Sequence, residues 1–261
     1  MAVRRFSDCG DYGARVMRRI DLLRHRTALI GLVGGSLGFA ALAVPIARGR
    51  PWAWDFRLAR WLHGHEAALH LARFQDTFYR VGDDGLVPLF VAVVLLLIVS
   101  GRIGWAAFEI VAGIGLLGLN DVLKNAFARP SLRSALFQHT ITFQPAFRFA
   151  AAPDGRAGPF PTGTGSYSFP SGHGLVTMAL LCSFLVFARG SRAVRPIAVL
   201  GGFLVVVFGV LLVLFAAHYP TDVLAGWALA VAWISALSLA TPGRVLDATL
   251  RRKPGTTGSP L

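Results

Sequence analysis

The sequence predicts an all-α, polytopic membrane protein of six transmembrane helices, on three observations. The 261 residues are 54% hydrophobic and 15% charged, with a mean hydropathy of +0.58, whereas a soluble domain carries about 25% charged residues. The apolar residues fall into blocks near the roughly 17 to 25 residues that a helix needs to cross a bilayer. Basic residues gather in alternate connections between those blocks, the pattern that orients membrane helices.

The blocks run from Thr27 to Ala47, Gly85 to Ser100, Ile103 to Leu123, Gly174 to Ala188, Pro196 to Ala217, and Val223 to Ala240. The second and fourth are short, so tilt or flanking residues complete them. Backbone groups in lipid must bond internally, which makes each run a helix. The expected organisation is a basic tail at 1–26, a six-helix membrane domain at 27–240 with connections at 48–84 and 124–173 on one side, and a second tail at 241–261. The first block follows 26 polar and basic residues without a small-residue cleavage site, so it reads as a retained helix rather than a signal peptide.

The formal net charge of +13 would suggest nucleic acid in a soluble protein. Here the arginines flank apolar blocks, so no nucleic-acid partner is expected and membrane lipids are. Arg4, Arg5, Arg15, Arg18, Arg19, Arg24 and Arg26 precede the first helix, and Arg102 follows the second. Arg189, Arg192 and Arg195 follow the fourth, and Arg244, Arg251, Arg252 and Lys253 follow the sixth. Six spans put all of these on one side, which the positive-inside rule makes cytoplasmic, with both termini there. Cys9 and Cys182 are expected to stay unpaired.

The connection at 48–84 faces the other side. Its segment Trp52 to Tyr79 mixes Trp, Phe and Leu with polar residues. It reads either as an amphipathic helix on the outer interface or as a helical hairpin over the site. His63, His65 and His70 lie here without metal-ligand spacing, and no metal is expected. Glu109, inside the third block, is the intramembrane polar residue with no assigned role.

Three stretches bring polar chemistry to the external ends of the helices. Lys124 and Arg129-Pro130 stand at the end of the third helix, where cations either snorkel to headgroups or bind an anion. Pro170-Ser171-Gly172-His173 opens the fourth helix, whose N-terminal amides and dipole suit a phosphate. His218 and Asp222, four residues apart before the sixth helix, share a face if the helix starts early. A carboxylate on one imidazole nitrogen would leave the other nucleophilic. The inventory suits phosphoryl transfer, which needs mainly positioning and charge stabilisation.

The stretches Phe169-Pro170-Ser171-Gly172-His173 and His218-Tyr219-Pro220-Thr221-Asp222 resemble, in this order, the motifs of the type 2 phosphatidic acid phosphatase superfamily of integral membrane lipid phosphatases. The resemblance runs from about Ile103 to Ala240 and implies that family's helical bundle. It implies that His218 attacks phosphorus, Asp222 orients it, and His173 protonates the leaving oxygen. It further implies that Lys124 and Arg129 hold phosphate oxygens with backbone groups near Ser171 and Gly172, and that no cofactor or metal takes part. Two departures stand out. The family places an Arg-Pro pair where this chain has Ser131-Leu132, and a Ser-Arg pair where it has Leu211-Leu212. Arg133 and Arg148 are available as substitutes. The expected function is a phosphatase of a lipid or polyprenyl phosphate at the external face of a bacterial inner membrane. The alternatives are a headgroup transferase on a lipid-linked phosphodiester and a non-catalytic scaffold.

Overall fold

Each of the six apolar blocks is a helix in the computed structural model, which describes residues 4–65, 71–80, 82, 85–137, 167–189 and 191–241. The described residues form nine helices and no strand: α1 (Arg4–Ala47), α2 (Ala53–Gly64), α3 (Ala72–Arg80), α4 (Leu86–Val99), α5 (Ile103–Phe127), α6 (Leu132–Phe137), α7 (Gly172–Phe187), α8 (Val194–Leu214) and α9 (Pro220–Ala240). His70, Arg148 and the C-terminal tail lie outside the described residues. Four stretches are long and apolar enough to cross a membrane: Leu22–Ala47 of α1, then α5, α8 and α9. The apolar helices α4 and α7 are shorter, at 14 and 16 residues. The chain is an integral membrane protein. Ile30, Val99 and Val199 are 71%, 84% and 75% exposed, an outer surface that only lipid would cover favourably.

Helix α9 is the central element and packs most extensively on α1 and α7. Close approach is set by small residues, as lipid-embedded helices require. A Cβ at Gly35 of α1 would stand 2.6 Å from the Ala228 carbonyl oxygen and 2.7 Å from the Ala232 nitrogen of α9. At the far end of α9, the Arg24 guanidinium donates to the carbonyls of Ser238 and Thr241 at 3.0 and 2.6 Å, satisfying acceptors that the last helical turn leaves open. Arg189 donates to Thr27 at the same end. The residues expected as a tail before Thr27 are helical from Arg4 and continuous with the first span.

The segment expected as a single interfacial helix or a hairpin is two helices, α2 and α3. Helix α2 packs on α6, α8 and α9. His63 Nδ1 lies 3.0 Å from the Leu214 carbonyl at the end of α8, and Phe78 of α3 lies with its ring centroid 4.8 Å from that of Phe208. The pair therefore covers the flank of the site end rather than lying apart from it. Between α4, α5 and α7 is a cavity of about 290 Å³ lined by apolar side chains and by Glu109 and Ser183. Both polar residues are buried.

Candidate active site

The three polar stretches meet at the N-terminal ends of α7 and α9 and the C-terminal end of α5. Main-chain bonds stitch them together. The Ser168 N–H donates to the Arg129 carbonyl at 2.9 Å, Ser168 Oγ donates to the Pro130 carbonyl at 3.1 Å, and the Ser171 N–H donates to the Asp222 carbonyl at 3.0 Å. Two alanines take left-handed backbone, Ala128 with φ 45° and Ala216 with φ 56°. Such a conformation costs a β-carbon-bearing residue roughly 1–2 kcal/mol. Each turns the chain inward just before a site residue, Arg129 and His218 respectively. Gly226 brings α9 against the start of α7, because a Cβ there would stand 2.6 Å from the Ser171 carbonyl oxygen and 3.0 Å from the Leu175 nitrogen. Gly226→Ala is therefore expected to separate the two histidine-bearing segments and to cost about 1–3 kcal/mol by overpacking, read as a lower Tm in detergent. An unchanged Tm would contradict this contact.

His173 and His218 face each other with ring centroids 6.4 Å apart. His173 stands in the first turn of α7, beside Phe208 and close enough to Gly82 that a Cβ there would lie 3.2 Å from its Nε2. His218 is 7% exposed. Its Nδ1 lies 3.0 Å from the Ser168 carbonyl oxygen, which can only accept, so that nitrogen carries the hydrogen. Asp222 Oδ2 lies 3.6 Å from the same Nδ1, beyond hydrogen-bond range. This corrects the expected direct bond: the Ser168 carbonyl sets the tautomer, and Asp222 supplies charge from close by. In the neutral ring the lone pair is then on Nε2.

Asp222 is fully buried and its oxygens are committed. Oδ2 accepts the Tyr219 N–H at 3.0 Å, and Oδ1 accepts from Arg129 Nη1 at 2.5 Å. Arg129 is 2% exposed. Its Nη1 also donates to Thr221 Oγ1 at 2.8 Å, its Nη2 donates to Asp55 at 2.6 Å, and the guanidinium carbon lies 3.7 Å from the Tyr219 ring centroid. The expectation that Arg129 holds phosphate is corrected here: carboxylates occupy both ends of its fork. Burial opposes its charge, but Asp222 and Asp55 outweigh that and hold its pKa above the ordinary value. Burial likewise keeps the Tyr219 phenol neutral by raising its pKa.

Asp55, on α2, is the site residue that sequence reading missed. It is 1% exposed. Oδ1 accepts the Thr221 N–H at 2.9 Å, and Oδ2 accepts from Thr221 Oγ1 and Arg129 Nη2, each at 2.6 Å. Burial raises its pKa, and Arg129 and Thr221 act against that rise. Three donors converge on the group, and one of them is the permanently charged Arg129 guanidinium, so it sits as a carboxylate. An Asp three residues after Trp52, in a segment rich in aromatics, was the available signal.

Lys124 is half-buried on α5 and feels the charges of Asp222 and Asp121. Ser171 is fully buried: its N–H goes to Asp222 and its hydroxyl caps α7 by accepting the Gly174 N–H at 3.2 Å. Its own amide is thus spent, whereas the Gly172 N–H at the first helical position has no intrahelical acceptor. A Cβ at Gly172 would meet the buried Asn120 side chain at 3.2 Å. Arg133 is exposed on α6, and no described contact joins it to the histidines. Of the two departures, Ser131 stands where the first expected arginine would be and Leu212 where the second would be. Leu132 and Leu212, 0% and 1% exposed, belong to one apolar cluster with Phe78, Phe215 and Tyr219.

The geometry agrees with the comparisons. No curated protein sequence matches this chain. Among solved structures, the transmembrane PAP2-type phosphatidylglycerolphosphate phosphatase from Bacillus subtilis superposes with a TM-score of 0.60 at 17% identity, covering 85% of this chain and 98% of the other. The model of the PAP2 superfamily matches residues 104–245, more than half of the chain and all of the site except Asp55. The chain belongs to the PAP2 superfamily.

Proposed function

We propose that this protein is a phosphatase of a lipid or polyprenyl phosphate, acting through a phosphohistidine on His218. The observation that carries the reading is the His218 imidazole, fixed with its hydrogen on Nδ1 toward Ser168 and facing His173 at 6.4 Å. In the first step Nε2 of His218 bonds to phosphorus and the bond from phosphorus to the lipid oxygen breaks. His173 gives its proton to that oxygen and the lipid alcohol leaves. Water then attacks phosphorus, His173 takes the proton, and inorganic phosphate departs as Nε2 is restored. Lys124 and the Gly172 amide stabilise the phosphoryl oxygens.

A lipid substrate is supported by a groove of about 580 Å³ between α4, α7 and α8. It includes Thr177, one turn below His173, and continues past Leu181, Leu204 and Phe208, so an acyl or prenyl chain fits beneath a headgroup at the histidines. The external location is supported by the bundle's polarity. Arg24 and Arg189 gather at the end of α9 opposite His218 and Asp222, and a 21-residue helix separates the ends by about 30 Å. The same polarity supports the reading that both termini lie in the cytoplasm and that the membrane is a bacterial inner membrane.

The test is phosphate release in detergent from phosphatidic acid, phosphatidylglycerolphosphate and a polyprenyl pyrophosphate. Lys124→Ala is expected to lower kcat/KM about 100-fold, the usual loss for one oxyanion contact. Wild type no faster than His218→Ala on every substrate would refute the phosphatase. A second reading follows from Ser131, Leu212 and the committed Arg129, which leave few cations for a doubly charged monoester. A phosphodiester carries one charge, so a headgroup transferase would need fewer. Supplying an acceptor alcohol and finding an exchanged lipid would favour it; hydrolysis products alone would exclude it.

A further inference from the structure

We propose that Asp55 is a positioning residue for the chemistry at His218: it takes one arm of Arg129 and so keeps Asp222 effective as an anion. The proposal rests on the phosphohistidine reading for its consequence, but its electrostatic content is independent of the substrate.

The argument is a count of charges. Asp55, Arg129 and Asp222 form a closed trio, with both ion pairs buried to 1% side-chain exposure or less. Two carboxylates share one guanidinium, so the trio keeps one negative charge. That charge stands next to His218, because Asp222 Oδ2 is 3.6 Å from Nδ1. If Asp222 were the sole carboxylate on Arg129, the pair would be neutral, and His218 would gain positive charge on bonding to phosphorus without an anion beside it. Among the described contacts of this ring the other titratable group is His173 on α7, which supplies no negative charge, and Lys124 on α5 adds only positive charge near Asp222. Low local dielectric makes the difference count.

The geometry argues against a role in surface packing alone. Helix α2 lies at the bundle's site end, where an aspartate would ordinarily face water. Instead Asp55 is buried and accepts the Thr221 N–H, an amide in the first turn of α9 that the helix itself leaves without an acceptor. One carboxylate thus caps the helix that carries Asp222 and restrains the arginine that would neutralise it. Asp55 touches neither histidine in the described contacts, so it acts through Arg129 and Asp222.

The test uses full-length protein in detergent with Asp55→Asn, Asp55→Glu and the double variant Asp55→Asn/Arg129→Gln. Two readouts are taken: kcat and KM for phosphate release from dioctanoyl phosphatidic acid, and the rate of His218 carbethoxylation by diethyl pyrocarbonate, followed by mass spectrometry. Asp55→Asn is expected to lower kcat about 10- to 100-fold, the range for removing a supporting group, with KM within about three-fold because substrate contacts remain. It is also expected to slow labelling at least about three-fold, since the imidazole loses its anion. The double variant removes one charge of each sign, restores the net charge of the trio, and is expected to recover both readouts. A double variant no better than Asp55→Asn, or an Asp55→Asn variant equal to wild type, would overturn the proposal. If Asp55→Asn does not fold, the remaining two variants decide it: both near wild type supports the charge count, and a double variant below a tenth of wild type refutes it. Wild type inactive on the lipid with the same labelling pattern would refute the phosphatase and leave Asp55's role standing.

Discussion

His218→Ala is expected to lower phosphate release by about 10⁴-fold or more, because in the proposed mechanism this residue forms the bond that splits hydrolysis into two steps. His173→Ala should lose less, about 10² to 10⁴-fold, the range for one general acid. The two losses should not add, since the acid has no leaving group to serve once the nucleophile is gone. Quenched turnover analysed by mass spectrometry should show acid-labile phosphate on residue 218 in the wild type and His173→Ala, and none in His218→Ala. A His218→Ala protein keeping a tenth of wild-type turnover would mean that another group attacks phosphorus, and the histidine pair at 6.4 Å would then need a different role.

The largest effect on stability is expected at Arg129. Arg129→Ala leaves Asp55 and Asp222 buried at 1% and 0% exposure with no cation between them. Breaking a buried ion pair from one side typically costs about 3–5 kcal/mol, because the remaining charge is stranded. Tyr219 also loses a stacked guanidinium, a contact of up to about 2 kcal/mol when desolvated. Arg129→Lys should recover only part of this, since an ammonium cannot bridge two carboxylates as a planar fork does. Arg133→Ala, on the exposed face of α6, should stay within about 0.5 kcal/mol. Thermal unfolding in detergent separates these cases. Equal Tm values for Arg129→Ala and Arg133→Ala would contradict the buried trio.

The apolar blocks were legible in the sequence because lipid imposes a one-dimensional rule: about twenty apolar residues must be helical. The histidine stretches were legible because their spacing is local. Ser171 at a helix N-terminus and His218 four residues before Asp222 carry their spacing within a single turn. The carboxylate on Arg129 from α2 was not legible, because Asp55 and Arg129 stand 74 positions apart and nothing local marks their meeting. Nor was the tautomer of His218, which depends on a carbonyl 50 positions away.

The membrane class and the stretches that carry His173, His218 and Asp222 followed from the sequence by itself. Which cation serves which anion was settled only by the tertiary structure. Arg129 reads as a phosphate ligand until α2 packs on α9 and places Asp55 against its free arm. Leu212, in the place of an arginine that the resemblance leads one to expect, reads only as a lost cation until it is seen buried in one apolar cluster with Leu132. The physical reason is common to both. Hydropathy and helix capping act between near neighbours, whereas the partner of a buried charge is chosen by whatever the fold brings within hydrogen-bond reach.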